Sequence, residues 1–365
     1  MRRLPAVLLI ISALYCLTAA SERVVLVHDS LERFFDIHTP PSYDGSTGVP
    51  LVIDIHGYGG SANTQQNYSG FREKADEEGF IVVWPGGYQH SWNGGLACCG
   101  AAVRDSIDDV GFIRKIVEFM KLGYAIDTTR IYATGHSNGS AMAQRVANDA
   151  SDIFAAVAGF ALMLIAPPNP SQAIAVINFH GYDDYTIEYD GGVFQNDASY
   201  PSAQENFHTW AEVNNCTGTP VETTLVGSSK CETYITCDDN VEVTLCSIEA
   251  GHMIYSNYHN IDLTTMAWNF MKQFTLKGRV THLNTPHSQA GKRSPRCYWD
   301  RREASLVIRG IPPGIHLKIY DCKGREISLP EQGKLTRKIA LPEIAPGTYL
   351  VKTGMGNLIN KFLKQ

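Results

Sequence analysis

No apolar stretch in this 365-residue sequence is long enough to cross a bilayer. The longest, from Leu4 to Leu17, falls short of the roughly 20 residues a spanning helix needs, which excludes a polytopic membrane protein. Basic residues are scarce between positions 21 and 276, where 12 Lys and Arg stand against 31 Asp and Glu for a net charge of −19. That part repels nucleic acid and other polyanions. No internal repeat, low-complexity tract or stacked-aromatic RNA motif occurs. The paired Cys and His spacings that hold zinc are missing as well, since Cys231 and Cys237 have no second close pair, so neither a metal nor an organic cofactor is expected. What remains, at 44% hydrophobic and 19% charged, is the composition of a folded globular chain, long enough for two units.

Arg2 and Arg3, the apolar run and Thr18-Ala19-Ala20 form the three parts of a secretory signal peptide, with cleavage expected after Ala20 and a secreted product. Eight cysteines follow it, an even number that predicts disulfides in an oxidising compartment, with Cys297 and Cys322 close enough in sequence to pair locally. Charge changes sign along the chain: residues 277–365 carry 17 basic against 6 acidic residues, a net +11. The step marks a boundary between a unit at 21–276 and a small module at 297–365, joined by a linker at 277–296 that holds Pro286, Gly291 and Pro295. In the module, short β-rich runs at 304–308, 315–320, 338–341 and 347–351 alternate with Pro- and Gly-containing turns, the pattern of a small antiparallel all-β sandwich.

The larger unit reads differently. Strands are predicted at 49–56, 80–84, 130–134, 154–160, 173–179 and 241–248, and helices at 108–122, 140–148, 203–213 and 264–274. Strands alternating with amphipathic helices predict a doubly wound α/β layout around a mostly parallel sheet, a scaffold that hosts many activities.

The most informative segment is Gly135-His136-Ser137-Asn138-Gly139, set between a predicted strand and a predicted helix. A serine on a sharp strand-to-helix turn tolerates only small residues two positions either side, and the turn lifts its hydroxyl above the sheet edge. Ser137 is therefore the candidate nucleophile. The helix N-terminus behind it offers the Asn138 backbone N–H to an oxyanion, and the turn His56-Gly57-Tyr58-Gly59-Gly60 offers that of Tyr58.

A serine needs a general base held by an acid, and this scaffold supplies them in the order Ser, Asp or Glu, His. The strand at 173–179 runs into Asp183 and Asp184, with Asp190 further on. For the base, His208 lies within a helical pattern and His259 beyond the turn, whereas His252 ends a strand through a short loop and is the better placed. His56, His136 and His180 crowd the same edge and are expected to supply packing or hydrogen bonds. Trp84, Trp92 and Tyr255 are candidate walls for an aromatic acyl group, with core packing an equal explanation.

Together, His56-Gly57, Trp84-Pro-Gly-Gly87, Ser91-Trp-Asn93, Cys98-Cys-Gly100, Asp108-Asp-Val-Gly-Phe-Ile113, Thr134-Gly-His-Ser-Asn-Gly139, His180-Gly-x-x-Asp184 and Gly251-His252 resemble secreted esterases related to poly(3-hydroxybutyrate) depolymerases and feruloyl esterases, grouped among the carbohydrate esterases. The resemblance spans about residues 30–275 and implies an α/β-hydrolase fold. It also implies Ser137 as nucleophile, Asp184 as acid and His252 as base. The chain departs from the family at Glu249-Ala250 and Met253-Ile-Tyr255, beside the expected acyl pocket.

The reading is then a secreted, monomeric serine esterase acting on feruloyl- or acetyl-substituted plant polysaccharide such as xylan. Its rivals are an aliphatic polyester depolymerase and a non-catalytic surface or sugar-binding protein. A peptidase of the same fold is a third rival, less favoured because no propeller or lid domain is expected beside the catalytic unit. Ala345-Pro-Gly-Thr-Tyr-Leu-Val351 and Lys361-Phe-Leu-Lys364 are similar to sorting or surface-attachment modules, which implies that the tail engages a secretion or cell-surface component.

Overall fold

The computed structural model describes residues 21–95, 99–162, 168–194 and 198–279, and beyond them only the strands of the C-terminal part. The expected signal peptide, most of the expected linker and the expected pairing of Cys297 with Cys322 lie outside the described residues. In chain order the strands of the larger unit are β1 (Glu22–His28), β2 (Leu31–His38), β3 (Val49–Ile55), β4 (Ile81–Pro85), β5 (Ile126–His136), β6 (Ala156–Phe160), β7 (Ala175–Gly181), β8 (Gly192–Val193), β9 (Ser199–Tyr200), β10 (Val221–Thr224), β11 (Lys230–Tyr234) and β12 (Val243–Ile248). The helices are α1 (Ala62–Tyr68), α2 (Phe71–Glu78), α3 (Ala101–Arg104), α4 (Asp109–Gly123), α5 (Asn138–Asp149), α6 (Ala203–Val213) and α7 (Leu263–Met271).

Ten of these strands form one sheet in the order β1-β2-β4-β3-β5-β6-β7-β12-β11-β10. The inner six, from β4 to β12, are parallel, and they are the six strands expected from the sequence. They read as mostly apolar runs because both of their faces are covered. In β3, Leu51, Ile53 and Ile55 join the core beneath α4, α5 and α6, while Val52 faces the opposite core built with α1, α2 and α7. This is the doubly wound arrangement.

The antiparallel edges were not predicted. The hairpins β1-β2 and β10-β11 close the sheet on either side, and their outer strands are half or wholly exposed, so they carry no long apolar signature. Helices α1 and α2 were missed for a related reason: their segments are mostly polar, burying only Ala62, Gln65, Phe71 and Ala75.

Disulfides Cys216–Cys237 and Cys231–Cys246 tie α6, β11 and β12 together, and Cys99 is also disulfide-bonded. Bridges closing loops of 21 and 15 residues stabilise a fold by about 3 kcal/mol each in the chain-entropy account. In the C-terminal part, the strands Arg296–Asp300, Ser305–Arg309 and Lys338–Ala340 form one antiparallel sheet, and Leu317–Asp321, Glu326–Ile327, Gly347–Thr353 and Leu358–Lys364 form a second. Only β-structure occurs among its described residues.

Candidate active site

Functional side chains gather where the parallel strands end. Strand β5 runs straight into Ser137, which takes φ 55° and ψ −123°, and α5 begins at the next residue. The left-handed conformation is costly for serine and is imposed by crowding. A Cβ placed on Gly139 would sit 2.1 Å from the Ile55 carbonyl oxygen, and one on Gly135 would sit 2.3 Å from that of Gly139. The Ser137 N–H donates to Phe160 O at 2.7 Å, so the turn is stitched to β6 as well.

The hydroxyl of Ser137 lies 2.9 Å from His252 Nε2, and His252 Nδ1 lies 2.8 Å from Asp184 Oδ2. His252 arrives from the loop after β12 and Asp184 from the loop after β7, so three strand ends converge. Asp184 is buried, while Ser137 and His252 remain partly open. Its other oxygen, Oδ1, accepts the backbone N–H groups of Thr186 at 2.9 Å and Ile187 at 2.8 Å. Burial works to raise the Asp184 carboxyl, but hydrogen bonds from His252 and the Ile187 amide outweigh it and hold the group below the ordinary carboxylate range. It stays ionised beside the imidazole.

Of the other acidic and basic candidates, Asp183 turns toward Tyr258, and His259 pairs with Glu249 at 2.5 Å. His208, on α6, faces the hydroxyl of Tyr234 on β11. None of them meets Ser137.

Three further histidines each pin a carbonyl of one loop. His56 Nε2 accepts the Gly87 N–H at 2.9 Å, which leaves its Nδ1–H to donate to Gly57 O at 2.7 Å. His136 Nε2 meets His252 O at 2.8 Å, and His180 Nε2 meets Ile187 O at 2.8 Å. The first contact has a direct consequence. Gly57 O also accepts from the Gly60 N–H at 3.0 Å, and because a trans peptide is planar, the Tyr58 N–H must point the opposite way. Gly57 packs against the elbow, a Cβ there lying 3.4 Å from that of Ser137. On the other flank, the Asn138 side chain clamps the Trp92 backbone, accepting from its N–H at 2.7 Å and donating to its carbonyl at 3.0 Å.

Two of the aromatic wall candidates are corrected. Trp84 and Trp92 are fully buried, their indole N–H groups donating to Asp54 Oδ2 at 2.8 Å and to His56 O at 2.9 Å, so neither presents a face to a ligand. Tyr255 alone stays near the site and half-buried, edge-on to Tyr68 with ring centroids 4.8 Å apart and 6.2 Å from the His136 ring. Tyr68 was missed by sequence reasoning because it closes the unpredicted helix α1. It packs edge-on to His136 and donates to Met253 Sδ at 3.7 Å.

Beneath the His56 turn, the Asp54 carboxyl is wholly buried and is pushed up to about 7 by that burial, against hydrogen bonds from Ser69, Gln65 and Trp84. The His56 and His136 imidazoles are pushed the other way, to about 4, also by burial. Unfolded, they titrate near 6.5. Each therefore contributes stability, on the order of 3 kcal/mol, that is complete above 6.5 and lost as pH falls toward 4. Asp54 acts in the opposite sense, losing stability as pH rises from 3.8 to about 7. Two imidazoles outweigh one carboxyl, so the urea midpoint should climb between about pH 4.5 and about pH 6.5, and His136→Gln should flatten the climb. A flat or falling midpoint in the wild type would contradict the buried neutral imidazoles.

No family model matches the chain. Feruloyl esterase B from Piromyces equi is 32% identical over 251 residues, covering 65% of this chain and 44% of that relative. The bifunctional acetylxylan esterase/xylanase XynS20E from Neocallimastix patriciarum is 24% identical over 248 residues, covering 67% of this chain and 34% of its own length. Among solved structures, the acetyl xylan esterase from Aspergillus awamori superposes with a TM-score of 0.51 at 14% identity, over 68% of this chain and 99% of that one.

The chain has the α/β-hydrolase fold, and its sequence is similar to feruloyl and acetylxylan esterases. It spans less than half the length of the two sequence relatives just described. In this fold, the elbow after β5 and the loops after β7 and β12 lie at the carboxyl ends of the six parallel strands, where such sheets hold their ligands.

Proposed function

We propose that the protein is a secreted serine carboxylester hydrolase that removes feruloyl or acetyl groups from plant cell-wall polysaccharide such as xylan. The observation that carries the reading is the unbroken hydrogen-bond chain from Ser137 through His252 to Asp184, its nucleophile and base partly open and its acid buried. Ser137 Oγ attacks the ester carbonyl as His252 Nε2 takes its proton. Asp184 holds the Nδ1–H tautomer and stabilises the imidazolium. The Tyr58 and Asn138 amides receive the oxyanion. The imidazolium then protonates the departing sugar oxygen, leaving an acyl-serine. Water, deprotonated by His252, attacks that ester, and the proton returns to Ser137 as the acid is released.

Relatives that carry feruloyl and acetylxylan esterase names support the substrate class. The signal-like leader and the disulfides support an oxidising destination. The reading is tested by a hydrolysis panel of methyl ferulate, acetylated xylan and hydroxybutyrate oligomers. The expected result is turnover of the feruloyl or acetyl substrate well above that of the oligomers. Preference for the oligomers would move the assignment to aliphatic polyester, and inertness toward all three would favour a binding role.

A further inference from the structure

Ten large apolar side chains are exposed among the described residues, and their distribution is uneven. Six are Val or Ile, on β1, β8 and β10 or in the turns bordering β10 and β11, the scattered exposure usual for a folded protein. The other four are Tyr58, Tyr185, Met253 and Tyr258, between 56% and 88% exposed, and all four sit on the loops that carry the site. Tyr58 belongs to the turn packed against the elbow, Tyr185 follows Asp184, and Met253 follows His252. Tyr258 closes the His252 loop by donating its N–H to Glu249 O at 3.1 Å, and its phenol lies beside the Asp183 carboxylate.

We propose that Tyr58, Tyr185, Met253 and Tyr258 form a collar around Ser137 that receives the uncharged sugar chain carrying the scissile ester. The proposal rests on the esterase reading and deepens it. Each tyrosine offers a flat, electron-rich ring face with a hydroxyl at its rim, on a side chain with only two torsions to freeze. A pyranose is complementary to that pairing, with a face of C–H bonds to lie on the ring and hydroxyls to meet the phenols. An aliphatic polyester can accept from the phenols at its carbonyls but offers neither a saturated ring face to lie on the aromatic rings nor hydroxyls to donate back. Asp183 beside Tyr258, in a unit of net charge −19, disfavours polyanionic chains. An ester whose acyl carbon reaches Ser137 Oγ lies beside the loops that carry these side chains, because the same loops supply Asp184 and His252. Single apolar residues on a surface mean little, whereas four on the loops that carry the nucleophile's partners mark a contact surface.

The test compares kcat/KM on two esters of the same acid, one on a xylo-oligosaccharide and one on methanol, in the wild type and in Tyr185→Ala/Tyr258→Ala. Both side chains are exposed, so their loss leaves the core intact. The ratio of sugar ester to methyl ester should fall about tenfold in the double variant, through KM on the sugar ester. Val25→Ala, an exposed apolar residue on the edge strand β1, should leave the ratio where it was. A second readout needs no turnover: unsubstituted xylo-oligosaccharide should bind Ser137→Ala about tenfold more tightly than it binds the same protein lacking the two tyrosines. An unchanged ratio with unchanged binding, in a wild type active on both esters, overturns the collar and leaves the esterase reading standing. A wild type inactive on both esters overturns the reading beneath it.

Discussion

Ser137→Ala lowers kcat on the best ester of the panel by about 10⁴-fold or more, with KM held within a few-fold. The hydroxyl is placed both to attack and to surrender its proton to His252 Nε2 at 2.9 Å. The backbone groups assigned to the oxyanion survive the substitution, so a slow residual hydrolysis over water is expected. Stability should hardly change, because the Ser137 side chain bonds only His252 among the described residues, and the turn is set by Gly135 and Gly139 rather than by the hydroxyl. A variant with the wild-type thermal midpoint and more than about a hundredth of the wild-type rate would remove Ser137 from the reaction.

The second large effect is expected at the acid. In Asp184→Asn, the Thr186 and Ile187 N–H groups that now donate to Oδ1 at 2.9 and 2.8 Å should retain the amide oxygen in that position. The amide nitrogen then faces His252 Nδ1. It can only donate, so the ring is forced into the tautomer with its proton on Nε2, which cannot accept the proton of Ser137. A loss of about 10⁴-fold in kcat follows, by the logic that governs acid-to-amide changes in such triads. Asp183→Asn should cost less than about threefold, since that carboxylate turns toward Tyr258 at the surface. Equal losses at the two positions would undo the choice of Asp184.

The six parallel strands were legible because burial on both faces leaves mostly apolar runs, as in Ile81-Val-Val-Trp84 of β4. The elbow was legible because sterics leave glycine alone at 135 and 139. The edge hairpins were hidden for the opposite reason: β10 exposes every residue, and its pairing with β11 depends on backbone hydrogen bonds and a disulfide partner on β12 rather than on hydrophobic pattern. The exclusion of Trp84 and Trp92 from the crevice was invisible too. Both segments place a tryptophan at the sheet's carboxyl edge, and only the fold shows that one turns down to a buried carboxyl and the other to the His56 carbonyl. Asp54 did leave a trace, a lone acid inside Val49-Pro-Leu-Val-Ile-Asp-Ile55, where a strand buried on both faces tolerates a carboxyl only with donors around it. The collar left none, because exposure is a property of the folded surface.

The most direct measurement is covalent: folded protein is treated with a fluorophosphonate and digested with trypsin, and the peptide from Ile131 to Arg145 is fragmented to separate Ser137 from Ser140. A single adduct on Ser137, strongly reduced in His252→Ala and absent in Ser137→Ala, is the predicted result. Folded wild type that stays unlabelled, or that carries the adduct on another residue, would contradict the nucleophile assignment on which the catalytic account depends.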